Sequence, residues 1–158
     1  MMAKRIFILM LLLMTALCAA ACSRRADGML DGYYTAEMAS FDEEGWKEFV
    51  TIYVKNNRMV TAKYDAMNES GFIRSWDSKY MREMNAVQSV YPTKYARLFL
   101  EGLLMRQDPE EVDCVTGATV SYRRFQRLAA AAIAHARAGD KTTAHVEMAD
   151  ITLVWAER

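Results

Sequence analysis

The chain has 158 residues, 20 basic and 20 acidic side chains, and a formal net charge of zero. It shows no basic patch and no acidic tail, so nothing in its charge pattern points to nucleic acid. There is no CxxCH motif for haem attachment, and His135 and His145 lack the CxxC or HxxxH companions of a zinc site.

The first elements in chain order belong to export. Lys4 and Arg5 form a short basic start, and Ile6 to Leu17 is an apolar run too short for a mature membrane span. Ala19, Ala20 and Ala21 then lead to Cys22, a pattern that resembles the bacterial lipobox, in which the cysteine is acylated after cleavage. Ordinary secretory cleavage after Ala21, leaving a free Cys22, is the competing reading. Each buried CH₂ of an acyl chain contributes about 0.8 kcal/mol, so several chains on one cysteine anchor a protein stably. Loss of residues 1–21, the expected signal peptide, takes the charge from 0 to −2 and leaves enough chain for one domain with a real core. Cys18 leaves with the signal, so Cys114 has no partner and no disulfide within the chain is expected.

Residues 22–30 read as a lipid-anchored tether, and 31–158 as the domain. Asp31 to Met38 has the aromatic and Thr content of a first strand. Phe41 to Gly45 is a polar turn. Trp46 to Lys55 alternates apolar and polar residues, and Arg58 to Ala66 returns as its partner. Asn56-Asn57 supplies the positive φ of a two-residue type I′ turn. That turn would pair Val54 with Met59 and Tyr53 with Val60, and the pattern leaves open which face meets the core.

A helix is expected from Ser75, as N-cap, to Gln88, with Trp76, Tyr80, Met81, Met84 and Val87 on one stripe. Pro92 opens a second, to Arg106, striped by Tyr95, Leu98, Phe99 and Leu103 and ended at Asp108-Pro109. The third starts after the residues around Thr119. Phe125, Leu128, Ala129, Ala132, Ile133 and Ala136 keep its 3.6 period, Arg123, Arg124, Arg127 and Arg137 project elsewhere, and Gly139 is its C-cap. His145 to Trp155 reads as one or two last strands. The fold class is α+β: a single domain with an antiparallel sheet or hairpin and about three helices.

The most informative stretch is Asp113-Cys114-Val115-Thr116-Gly117-Ala118-Thr119. Taken alone it is a helix start. Gly117 permits an unusual turn, Thr119 can cap, and the free amides and macrodipole favour an anion there. A merely capped helix would show the same four residues TGAT. The run also resembles the D-x-x-[ST]-G-A-[ST] motif of bacterial FMN-binding domain proteins, and the resemblance covers most of the mature chain. It extends through GYYTAEMASFDEEGWKEFVTIYV, YDAMNESGFIRSWDSKYMREMN, PTKYARLFLEGLLMRQDPEEVD and VTGATVSYRRFQRLAAAAI.

That family includes the flavinylated subunits of the sodium-pumping quinone reductase and of the Rnf complex. The resemblance implies FMN joined by a phosphoester to Thr119, with Asp113, Thr116, Gly117 and Ala118 presenting the acceptor. The partner it implies is a magnesium-requiring flavin transferase that takes FMN from FAD. Asp113 and Thr116 are expected to orient the loop by side-chain hydrogen bonds, and Cys114 is expected to be a small buried thiol. Ser121 is a second hydroxyl, ranked below Thr119. Replacing Thr119 with Ala is expected to cost about 1 kcal/mol for a lost cap.

A second cluster is Ser75, Trp76, Asp77 and Tyr80, whose rings and polar groups suit a flavin, although Trp76 and Tyr80 also suit a core face. Asn68 suits the turn after Tyr64 and Asp65. Met59, Met67, Met81, Met84 and Met105 read as gap-filling core rather than a copper site. The expected function is that of a membrane-anchored extracytoplasmic flavoprotein in electron transfer, a carrier rather than a stand-alone enzyme. The alternatives are a lipoprotein that holds FMN or another ligand non-covalently, a flavin-dependent reductase component, and a surface protein whose TGAT loop is only structural.

Overall fold

A computed structural model of the chain describes residues 28–88 and 90–147. The signal segment, Cys22 and the chain beyond residue 147 lie outside them, as does most of the expected last-strand region. Four strands, β1 (Gly32–Met38), β2 (Lys47–Lys55), β3 (Arg58–Met67) and β4 (Ala144–Val146), form one sheet in the order β3-β2-β1-β4. Three helices lie between β3 and β4: α1 (Ser78–Gln88), α2 (Pro92–Arg106) and α3 (Thr119–Ala138). The α+β expectation holds. The sheet is mixed rather than purely antiparallel, because β4 returns through the helices and joins β1 in parallel.

The hairpin shows how a local turn sets a face. Asn56 and Asn57 have φ of 52° and 60°, the left-handed values a type I′ turn requires. Val54 pairs with Met59 as expected, but a bulge follows and Tyr53 pairs with Thr61, not Val60. The extra residue changes the parity of β3 beyond it, so that Met59 and Tyr64, five residues apart, both face inward; Val60, next to Met59, is exposed. The face left open by the sequence is the one bearing Val50, Ile52 and Val54, all buried.

Helices α2 and α3 cover that face, α3 on β1 and β2 and α2 on β3. All six apolar stripe residues of α3 are buried, and Gly139 ends the helix at φ 71°. At the centre the buried Phe99 meets Tyr64, Tyr95, Tyr122 and Phe125 with ring centroids 5.2–6.3 Å apart. Burial of each such ring contributes about 1.5–3 kcal/mol. At the other end of the domain, Leu30 N–H donates to the Ala136 carbonyl and Met29 N–H to Asn57 Oδ1, so the domain's hold begins within the expected tether.

Several expectations need correcting. Ser75 does not cap α1. Its N–H is taken by Asp65 Oδ1 in a 3₁₀ turn over Arg74–Trp76, and Asp77 Oδ1 accepts from Lys79 and Tyr80 N–H at 3.0 and 2.9 Å. Past that turn, where Trp76 is 67% exposed, α1 meets the domain along a thin edge, and its Val87 is 82% exposed. Leu98 is also exposed, because Tyr95, Phe99 and Leu103 at i, i+4, i+8 already fill the contact of α2 with the sheet. Met105 is exposed rather than gap-filling. Asn68 does organise its turn, its Oδ1 accepting from Ser70 and Phe72 N–H.

Candidate functional site

The loop into α3 is built from short-range bonds. Ala118 N–H donates to the Val115 carbonyl at 2.9 Å, and Gly117 sits at φ 83°, where a Cβ would be strained. Ala118, not Thr119, is the N-cap. It is buried, has no side-chain cap, and its carbonyl accepts from Tyr122 N–H at 2.8 Å. Thr119 is the first residue of the helix and is exposed. The cap expected at Thr119 is therefore absent, and so is its cost on substitution. The chain needs a small residue at 118 because that position packs inward, which puts the next side chain outside.

Side chains of α3 pin the loop from behind. Tyr122 OH donates to the Val112 carbonyl at 2.6 Å, and Gln126 Nε2 to the Pro109 carbonyl at 3.0 Å. The orienting role expected of Asp113 falls to these bonds instead. The Asp113 side chain is 96% exposed and meets Arg106 only at 3.9 Å, so water solvates it better than the loop could. Thr116 and Gly117 are exposed as well. Cys114 is exposed rather than a buried thiol, since Val112 and Val115 already take the inward positions on either side.

Beside Thr119 lies a cleft of about 550 Å³, in the size range of small-molecule sites. Its walls are the β1–β2 turn (Phe41 to Glu44), Tyr80 and Met84 of α1, and Gly117, Val120 and Ser121 at the start of α3. The turn is tied by Asp42, whose Oδ1 accepts from Glu44 and Trp46 N–H.

The floor of the cleft is a buried charge network. Glu48, 1% exposed, takes Arg74 Nη2 on Oε1 at 3.1 Å and the Tyr64 hydroxyl on Oε2 at 2.8 Å. Arg124 Nη1 lies 3.6 Å from Glu48 Oε1 and 3.3 Å from Asp42 Oδ2. Arg124 thus turns inward rather than away from the domain. Burial, the largest single effect, would lower the pKa of the Arg74 guanidinium, but Glu48, Tyr95 and Tyr64 together outweigh it and hold the charge. Burial, then Glu48, raises the Tyr64 hydroxyl well above its ordinary value, so it stays a donor. Tyr80 and Tyr95 are raised too, burial being the largest cause.

The sequence expectation missed this network, although two signals were present. Glu48 shares the parity of Val50, Ile52 and Val54, so an alternating strand must bury it. Arg124 lies four residues before Leu128 and so on the buried side of α3. Arg74, in a turn, gives no local signal. Of the second cluster, only Tyr80 lines the cleft. Trp76 packs edge-on to Phe72 at 6.0 Å outside it, and Asp77 caps α1. Ser75 lines a second cavity, of about 290 Å³, which shares Arg74 and Tyr95 with the first.

No protein-family model matches the chain. A crystal structure of the CPE2226 protein from Clostridium perfringens shares its fold with a TM-score of 0.72 and 30% identity, covering 76% of this chain and 98% of that one. The 15 kDa lipoprotein of Treponema pallidum is 40% identical over 111 residues, 70% of this chain and 79% of that protein. The chain therefore belongs to the family of this bacterial lipoprotein.

Proposed function

We propose that the protein is an envelope lipoprotein, anchored through Cys22, that carries FMN covalently on Thr119 and transfers electrons at the membrane surface. The observation that carries this reading is the exposed Thr119 hydroxyl at the first position of a 20-residue helix, flanked by residues that line a cleft. Because Thr119 caps nothing, its hydroxyl is open to esterification without cost to the fold.

The residues present fit a flavin phosphate and ring. The start of α3 offers free amides and the positive end of a macrodipole to a phosphate. The cleft is a poor place for that phosphate, since Asp42, Glu43, Glu44 and Glu48 outnumber Arg74 and Arg124. It suits a neutral ring, with Tyr80 and Met84 as flat or soft walls and hydroxyls at its edge. Bound there, FMN would supply the redox chemistry, while the chain attaches it, orients it and sets its field. A lipid anchor would confine the carrier near membrane partners and raise its effective concentration. The magnesium and FAD belong to the flavin transferase.

The test is intact mass of the denatured mature protein co-expressed with an active flavin transferase, followed by fragment mapping. An added mass of FMN less one water on Thr119, absent in Thr119→Ala, supports the carrier. An unmodified mass overturns it. The size of the cleft favours one second reading, a non-covalent binder, and in that case flavin would copurify with the native protein and leave on denaturation.

A further inference from the structure

The cavity on the far side of Arg74 and Tyr95 is unused by the reading above. It measures about 290 Å³ and lies between β3, the Arg74–Trp76 turn and α2. Its wall is apolar, made by Pro92, Ala96, Leu100 and Leu104. At its floor, Arg74 is 5% exposed, and its Nε is buried without a protein acceptor among the described residues. The Tyr95 hydroxyl accepts from Ser121 Oγ at 3.2 Å, which leaves its own proton to donate. A buried donor without a partner is costly to leave unmet, and an acceptor brought by a ligand would satisfy Arg74 Nε.

Charge decides the class of ligand. Lys63 is paired with Asp65 at 2.8 Å, Arg97 with Glu101 at 2.9 Å and Arg74 with Glu48 at 3.1 Å, so every charged group lining the cavity is balanced. An anion finds no net attraction and a cation no open carboxylate. The geometry points to a second small-molecule site that takes a neutral planar ring ketone, its apolar ring face against α2 and a carbonyl oxygen toward Tyr95 and Arg74. A quinone combines those properties in one molecule. The site is independent of flavin on Thr119, and the two clefts lie back to back through Arg74 and Tyr95.

The probe is duroquinone, whose four methyl groups block addition by the exposed Cys114 thiol. It is titrated into residues 23–158, which hold every described element, with no flavin present, and ¹H–¹⁵N shifts are followed. Saturable shifts are expected at residues around Thr93, Ala96 and Leu100. Tyr95→Phe should weaken binding about tenfold, and Leu100→Trp, which fills the cavity, should abolish it. Val120→Trp, at the first cleft, should leave it unchanged.

The proposal is overturned by no saturable shift up to the solubility limit, by shifts confined to the first cleft, or by tighter binding of benzoate than of duroquinone. It is overturned as well if Tyr95→Phe and Leu100→Trp, shown folded by their dispersed spectra, bind as the parent does. Since no flavin enters the experiment, its failure and failure of the Thr119 reading are separate results.

Discussion

Replacing Glu48 by Ala is the most demanding perturbation of this fold. The carboxylate is 1% exposed and answers Arg74 at 3.1 Å, Tyr64 at 2.8 Å and Arg124 at 3.6 Å. Its removal leaves the Arg74 side chain, 6% exposed, as an uncompensated buried cation. Breaking a buried pair from one side costs about 3–5 kcal/mol, against a total stability of about 5–15 kcal/mol for a typical domain. Arg124 retains Asp42 and should add little. Urea unfolding followed by circular dichroism should show that loss as a lower midpoint, with a melting temperature reduced by about 10–20 °C. The paired variant Glu48→Leu with Arg74→Leu should regain much of it, since an apolar pair removes both desolvation costs. A loss under about 1 kcal/mol for Glu48→Ala would refute the reasoning, because it would mean that water already reaches Arg74.

Thr119→Ala should shift stability by less than about 0.5 kcal/mol, as for a surface position without a cap, while removing any covalent flavin; a loss near 1 kcal/mol in the same urea assay would restore the cap. Phe99→Ala should cost about 3–5 kcal/mol, being the fully buried ring that four other aromatics meet. Gly139→Ala should cost about 1–3 kcal/mol, since φ is 71° and the added Cβ would lie 2.7 Å from Leu30 Cδ1; unchanged thermal stability would contradict it. Burial would raise the Asp65 carboxyl, but bonds from Lys63, Ser75 and Ala66 outweigh it and hold its pKa below the ordinary value. Its contribution is therefore present above the unfolded pKa of about 3.9 and is lost as pH falls through the lower folded value. Asp65→Asn should flatten the acid side of the stability profile and leave its slope near pH 7 unchanged.

What the sequence determined by itself is local and periodic. The positive φ that Asn tolerates fixed the hairpin turn, the 3.6 period fixed the buried stripe of α3, and Pro92 and Gly139 fixed the ends of two helices. Each depends on residues within one or two turns, so the chain carries the information without knowing its neighbours. Tertiary structure decided the rest. One bulge opposite Val54 put Met59 and Tyr64, five residues apart, on the same buried face, and the hold of Asp65 on the Arg74–Trp76 turn shifted the cap of α1 to Asp77 and left Trp76 outside. Above all, Glu48 of β2, Arg74 of a turn and Arg124 of α3 come from three distant places. Their charges can be buried together only because the sheet and helices bring both arginines within 4 Å of Glu48. Low-dielectric pairing is a property of that assembly, and no stretch of sequence holds it alone.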